Sequence, residues 1–185
     1  MENAKKKLMC QISDAAGNVL YTYDAHWAIV NRLRTRQSVL KITQICLTAL
    51  STGGFLASVI AGIPELSWVG GFTSAIALGL NLYSLNFNLP TDIKSHTDAA
   101  NDLWDVREAY KSLLCDFEEL SNEEIRNKRD QITQKVSQIN KKYPGTDNEA
   151  FTKAQENIKN YMFGEGESAR ALNIEINDDR KFQIV

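Results

Sequence analysis

Two long runs without a charged side chain constrain this chain more than any other feature. Ile42 to Pro64 holds none over 23 residues and Leu66 to Thr91 none over 26, with Glu65 alone between them. At about 1.5 Å of rise per residue, each run drawn as a helix reaches roughly 34 to 39 Å, enough for a hydrocarbon core of about 30 Å. Helices buried in soluble proteins seldom run so far without a charged stripe. Spans are therefore expected over about 40–63 and 66–89. Taken as a whole the composition is that of a soluble protein, with 24% charged residues and a net charge of -2 over 185 residues. The apolar residues are concentrated rather than unusually numerous. The first run begins some forty residues in, which does not suit a cleaved signal.

Basic residues set the expected orientation, because short segments rich in Lys and Arg resist translocation. Arg32, Arg34, Arg36 and Lys41 precede the first span, Lys94 and Arg107 follow the second, and the connection between them has neither residue type. Both termini are expected in the cytoplasm, with the four leading cations against the inner leaflet. Lys41 reaches the headgroups by extending its side chain back along the helix.

The expected architecture is an all-α membrane protein: a two-helix transmembrane hairpin carrying a cytoplasmic helical bundle, with short β strands at the two termini as an option. Residues 1–23 carry a turn signal at Ala16, Gly17 and Asn18 ahead of Val19, Leu20, Tyr21 and Tyr23, which fits a short strand or hairpin. Asp24 suits the N-cap of a basic entry helix, and residues 24–91 form that helix and the hairpin. Residues 92–163 read as three amphipathic helices. The first presents Ile93, Ala100, Leu103, Tyr110, Leu114 and Phe117. Ser121 with Glu124 is a capping-box pair opening the second, whose apolar face is Ile125, Ile132, Val136, Ile139 and Tyr143. Pro144 and Gly145 end it, and Thr146 with Glu149 suggests the same cap before Phe151, Ala154, Ile158 and Tyr161. Residues 164–185 read as a tail or short strands, with breaks at Gly164 and Gly166 before Leu172, Ile174 and Ile176, then Phe182 and Ile184.

The second span carries a stripe at alternating steps of three and four: Ser67, Gly70, Ser74, Ala77, Asn81, Ser84 and Asn88. Such a stripe avoids lipid, since amide and hydroxyl groups find no partner in hydrocarbon. It serves either hydrogen bonds between helices, worth about 1 kcal/mol each, or a water-filled path. Two helices enclose no lumen, so the second use requires several copies, a homo-oligomer with Ser67, Ser74, Asn81, Ser84 and Asn88 lining the pore. In the first span Gly54, Ser58 and Gly62 recur every four residues, spacing that lets helix backbones approach closely.

No catalytic constellation emerges. Cys10, Cys46 and Cys115 lack metal-ligand spacing, and His26 and His96, the two histidines, have no cysteine or carboxylate cluster beside them. There is no phosphate-binding glycine loop and no broad basic footprint for nucleic acid, so neither enzyme activity, cofactor, metal nor direct nucleic-acid binding is expected. The mixed charges from Glu118 to Arg129 read as a solvated helix surface.

The order of features resembles the SLATT family: His96 with Ala99 and Ala100, Tyr110 and Leu113 on the same helix, then Tyr143, Pro144 and Thr146 ahead of Ala154, over roughly residues 20 to 162. SLATT proteins are bacterial two-span effectors found beside SMODS nucleotidyltransferases, SLOG sensor proteins and reverse transcriptases. The resemblance implies a multi-pass protein of the bacterial inner membrane that forms pores in antiviral defence, causing abortive infection when a neighbouring nucleotidyltransferase or reverse transcriptase, or its nucleotide product, signals. The alternative from the residues alone is a membrane-anchored helical module that tethers or regulates a cytosolic partner.

Overall fold

A computed structural model describes residues 2–63, 65–164, 174–177 and 181–184. In chain order the elements are α1 (Glu2–Ala61), α2 (Glu65–Asn86), α3 (Leu89–Cys115), α4 (Asn122–Lys142), α5 (Asn148–Gly164), β1 (Ile174–Asn177) and β2 (Lys181–Ile184). They divide into two compact units, Met1–Val30 with Lys94–Val185, and Asn31–Ile93.

The first unit is a helical bundle organised by heptads. Leu103, Val106, Tyr110, Leu113 and Phe117 follow one another at steps of three and four, and Ile125, Ile132 and Ile139 at steps of seven. Together with Leu8, Ile12 and Val19 they form one buried cluster. Spacing of 3.5 residues keeps one seam turned inward along antiparallel helices. Burying each of the larger side chains contributes roughly 1.5 to 3 kcal/mol. α1 and α3 run in opposite directions, as Lys5 against Glu118 at 3.1 Å and the rings of Tyr23 and Trp104 at 5.6 Å establish. Gln11 receives a hydrogen bond from Arg129 of α4 at 2.9 Å, and Tyr21 meets Phe151 of α5 ring to ring at 5.7 Å.

Several local expectations change here. The segment expected as a strand or hairpin over 1–23 is helical from Glu2 onward, as the beginning of α1. Leu8, Ile12 and Val19 fall on one helical face, and their burial outweighs the turn preference of Gly17 and Asn18, which amounts to about 1 kcal/mol at a glycine. Asp24 therefore caps nothing and sits within α1. The box at Ser121 and Glu124 forms in both directions, side chain to backbone each way. The cap of α5 is Asp147 rather than Thr146: its carboxylate accepts from the Ala150 amide at 2.8 Å. β1 and β2 pair antiparallel with Ile174 opposite Ile184. Gly166, Leu172 and the Tyr161 side chain lie outside the described residues.

In the second unit the last part of α1 and all of α2 lie side by side in opposite directions, as the hydrogen bonds below require. Gly62 ends α1 with φ 65°, a left-handed conformation that costs a residue with a Cβ about 1 kcal/mol or more. α2 stops at Asn86, short of the expected 89. The Asn88 carbonyl accepts from Thr91 and Asp92 at 3.0 and 3.2 Å, opening α3. Burial in this unit is inverted relative to a globule: Ile60 is 83% exposed, Leu85 79%, Trp68 76% and Phe72 72%, whereas Gly70 and Ser58 are buried.

Candidate functional site

The contact between α1 and α2 is a polar seam with a close backbone approach at its centre. Ser58 bonds Ser67 at 2.6 Å, the Ser51 hydroxyl bonds that of Ser74 and donates to the Gly70 carbonyl at 3.2 Å, and the Gln44 amide donates to Ser84 at 3.0 Å. A Cβ built at Gly70 would come within 3.2 Å of the Ser51 carbonyl oxygen, and one at Gly54 within 3.6 Å of the Gly70 nitrogen. The missing Cβ at Gly70 is what lets the backbones meet, as small residues do between closely packed helices, whereas a Cβ at Gly54 would make only ordinary van der Waals contact.

Of the expected lumen residues, Ser67, Ser74 and Ser84 thus face α1. Asn81 is exposed and makes no side-chain hydrogen bond among the described residues, and Asn88 lies in the break between α2 and α3. Of the expected packing residues, Gly54 and Ser58 lie in the seam, while Gly62 occupies the turn with nothing within 4 Å of its would-be Cβ. Arg32, Arg34, Arg36 and Lys41 are all exposed. Arg36 donates to the Tyr83 hydroxyl and lies 5.8 Å from that ring's centroid.

On the α1 side of this seam the sequence reading had Gly54 and Ser58 and missed Gln44 and Ser51. Gln44, Ser51 and Ser58 are spaced by seven, like Ser67, Ser74 and Asn81, so a matching polar heptad was visible on the first run. An unbroken register would set Gln44 opposite Asn81. Gln44 instead reaches one turn further, to Ser84, and Asn81 is left out of the seam.

The other buried polar feature belongs to the bundle. His26 of α1 and His96 of α3, 70 residues apart, are 4% and 8% exposed with their Nδ1 atoms 2.8 Å apart. One ring donates and the other accepts, so the accepting ring is unprotonated at Nδ1. Burial, and then the neighbouring His96, lowers His26 from 6.5 to about 4. Along α3, Lys94 pairs with Asp98, and Asp102 with Tyr143 at 2.7 Å and Lys142 at 3.2 Å. Asp24 is raised by burial and pulled back by Arg107. Each histidine read singly carried no signal; the pairing is wholly tertiary. Among the described residues no cluster of three or more His, Cys, Asp or Glu could hold a metal.

Among the described residues one helix, α1, is long and apolar enough to cross a membrane. Apolar side chains turned outward around a polar seam mark a membrane-associated helical protein. The chain belongs to the SMODS and SLOG-associating 2TM effector domain family 4, whose pattern matches residues 8–163. The SLATT resemblance therefore holds, and it begins at Leu8, earlier than the motifs suggested. No curated protein and no solved structure matches the chain.

Proposed function

We propose that this protein is a pore-forming effector of a bacterial antiviral defence system. It crosses the inner membrane twice, through the end of α1 and through α2, with both termini cytoplasmic. Copies assemble and permeabilise the membrane once activated. The observation that carries the reading is the exposure pattern of the second unit, with Trp68, Phe72 and Leu85 among its most exposed side chains while Ser51 with Ser74 and Ser58 with Ser67 hydrogen-bond across the contact of α1 and α2. α2 has no charge after Glu65 over its 22 residues, a length that suits a span. Its Ser, Gly and Asn residues dilute its hydropathy, and Ser67, Gly70, Ser74 and Ser84 meet α1 in the seam. Arg32, Arg34, Arg36 and Lys41 then meet the anionic inner leaflet.

The family description supports a defence role and an association with SMODS or SLOG proteins. Activation through a neighbouring nucleotidyltransferase or reverse transcriptase, or through a nucleotide product, follows from that association. Asn81 and Asn88 remain available to a neighbouring copy or a lumen. The second reading, a membrane tether for a cytosolic partner, draws on the well-packed bundle of the first unit.

One experiment separates them: expression of the full chain with its partner genes under phage challenge, followed by membrane potential. Depolarisation that disappears when residues 40–89 are exchanged for an unrelated two-span hairpin supports the pore. Growth arrest that survives the exchange establishes the tether.

A further inference from the structure

The seam between α1 and α2 ends on an amide with two competing partners. In an antiparallel pair the two polar heptads match as 58 with 67, 51 with 74 and 44 with 81. The first two rungs form, Ser58 with Ser67 at 2.6 Å and Ser51 with Ser74. The third does not, because the Gln44 amide donates to Ser84 at 3.0 Å and to the Leu80 carbonyl at 3.5 Å. At about 100° per residue, Asn81 and Tyr83 flank that contact on opposite sides of α2, about 160° apart. The two flanks are treated differently. The Tyr83 hydroxyl accepts from Arg36, whose guanidinium lies 5.8 Å from the ring centroid. Asn81 is exposed between Leu78 and Leu85, which are 60% and 79% exposed, and within a span its amide finds no partner among such side chains. Rocking about the Ser51–Ser74 contact that turns the C-terminal half of α2 by about 60° sets Asn81 where Ser84 stands. The same turn carries Tyr83 away from Arg36, so the two flanks cannot be engaged together. Ser84 loses little, since its hydroxyl can donate to the carbonyl one turn back, as Thr48, Thr52 and Thr73 do in this hairpin at 2.8, 3.0 and 2.9 Å.

Resting on the pore reading above, we propose that the hairpin is a two-state switch in which Gln44 exchanges Ser84 for Asn81. The arrangement with Gln44 on Ser84 and Arg36 on Tyr83 is the closed one, and the exchange, which completes the heptad ladder and frees Arg36, accompanies opening. Each state has hydrogen bonds that the other lacks, which is what makes such an element discrete rather than continuously deformable.

The test uses the full-length chain in liposomes of phosphatidylethanolamine with phosphatidylglycerol and two readouts: potassium leakage, and oxygen collision at a nitroxide on Leu85→Cys in a background of Cys10→Ser, Cys46→Ser and Cys115→Ser. Position 85 lies about 40° beyond Asn81 on the side away from α1, so the turn brings the label toward α1 and out of oxygen-rich lipid. Ser84→Ala and Tyr83→Phe each remove a bond made only in the closed state, and each is expected to raise leakage about fivefold and to lower oxygen collision. Asn81→Leu removes the bond of the other state and is expected to restore both readouts in the Ser84→Ala background; a hairpin merely loosened by Ser84→Ala would not be rescued. Leaking liposomes in which Ser84→Ala and Tyr83→Phe move neither readout, or in which Asn81→Leu fails to reverse them, would overturn the exchange while sparing the pore. A label that follows the expected order in liposomes that never leak would overturn the pore and with it the role of the exchange in opening. Liposomes that never leak, with a label that never moves, would remove both.

Discussion

Acidification is expected to unfasten α1 from α3 at the His26–His96 contact. The folded pair needs one lone pair facing one N–H across 2.8 Å; a proton on the acceptor leaves two N–H groups opposed in a buried site. His26 binds a proton in the folded bundle only near pH 4, against 6.5 when free. The unfolded chain therefore takes up the proton first as pH falls. Stability from this group is complete above 6.5, declines by up to about 1.4 kcal/mol per pH unit below it, and is exhausted near 4. The full loss is about 3 kcal/mol, a large share of what a small domain possesses. Detergent-solubilised protein unfolded with denaturant and followed by circular dichroism at a series of pH values measures this directly. The control is His26→Leu with His96→Leu, which removes both titrating groups and leaves no lone imidazole buried. Asp102, Glu124 and Glu156 are all held below their ordinary values, so the stability they add is lost at more acid pH and is common to both proteins. A double variant with the same pH slope as wild type between 6.5 and about 4 would refute the reasoning.

Three further outcomes follow from the packing. Gly70→Val places methyl groups where a Cβ alone would already meet the Ser51 carbonyl at 3.2 Å, and the two backbones must separate. A loss of about 1 to 3 kcal/mol in detergent stability is expected, with weaker disulfide cross-linking of cysteines introduced at 51 and 74. Ser121→Ala removes the cap of α4 and is expected to cost about 1 kcal/mol, seen as faster amide exchange at Glu124. Tyr143→Phe deletes the 2.7 Å bond to Asp102, costing about 1 kcal/mol and letting that carboxyl rise toward its ordinary value, which an NMR titration reads.

Helical content and punctuation were legible wherever a segment's signal was local. The box at Ser121 and Glu124 depends on residues within one turn of each other and forms as read; the second charge-free run, expected to reach 89, leaves the helix at Asn86, and the buried line from Leu103 to Phe117 runs through Val106 and Leu113, with the expected Leu114 only partly buried beside it. The serines of α2 were legible as a stripe, yet one helix does not reveal whether its polar face meets water or another helix. That depended on Gln44, Ser51 and Ser58, whose matching period went unread.

By itself, then, the amino-acid order determined that the chain is helical from about residue 24 to 163, where the apolar and polar faces of those helices lie, and which family the chain joins. Only the tertiary structure decided that residues 2–23 belong to α1, because burial against α3 and α4 competes with a local turn preference that is equally real. It alone placed His26 on His96 across 70 residues and left Asn81 outside the seam. Periodicity reports the direction in which a side chain points; what stands opposite it is set by packing between segments far apart in sequence.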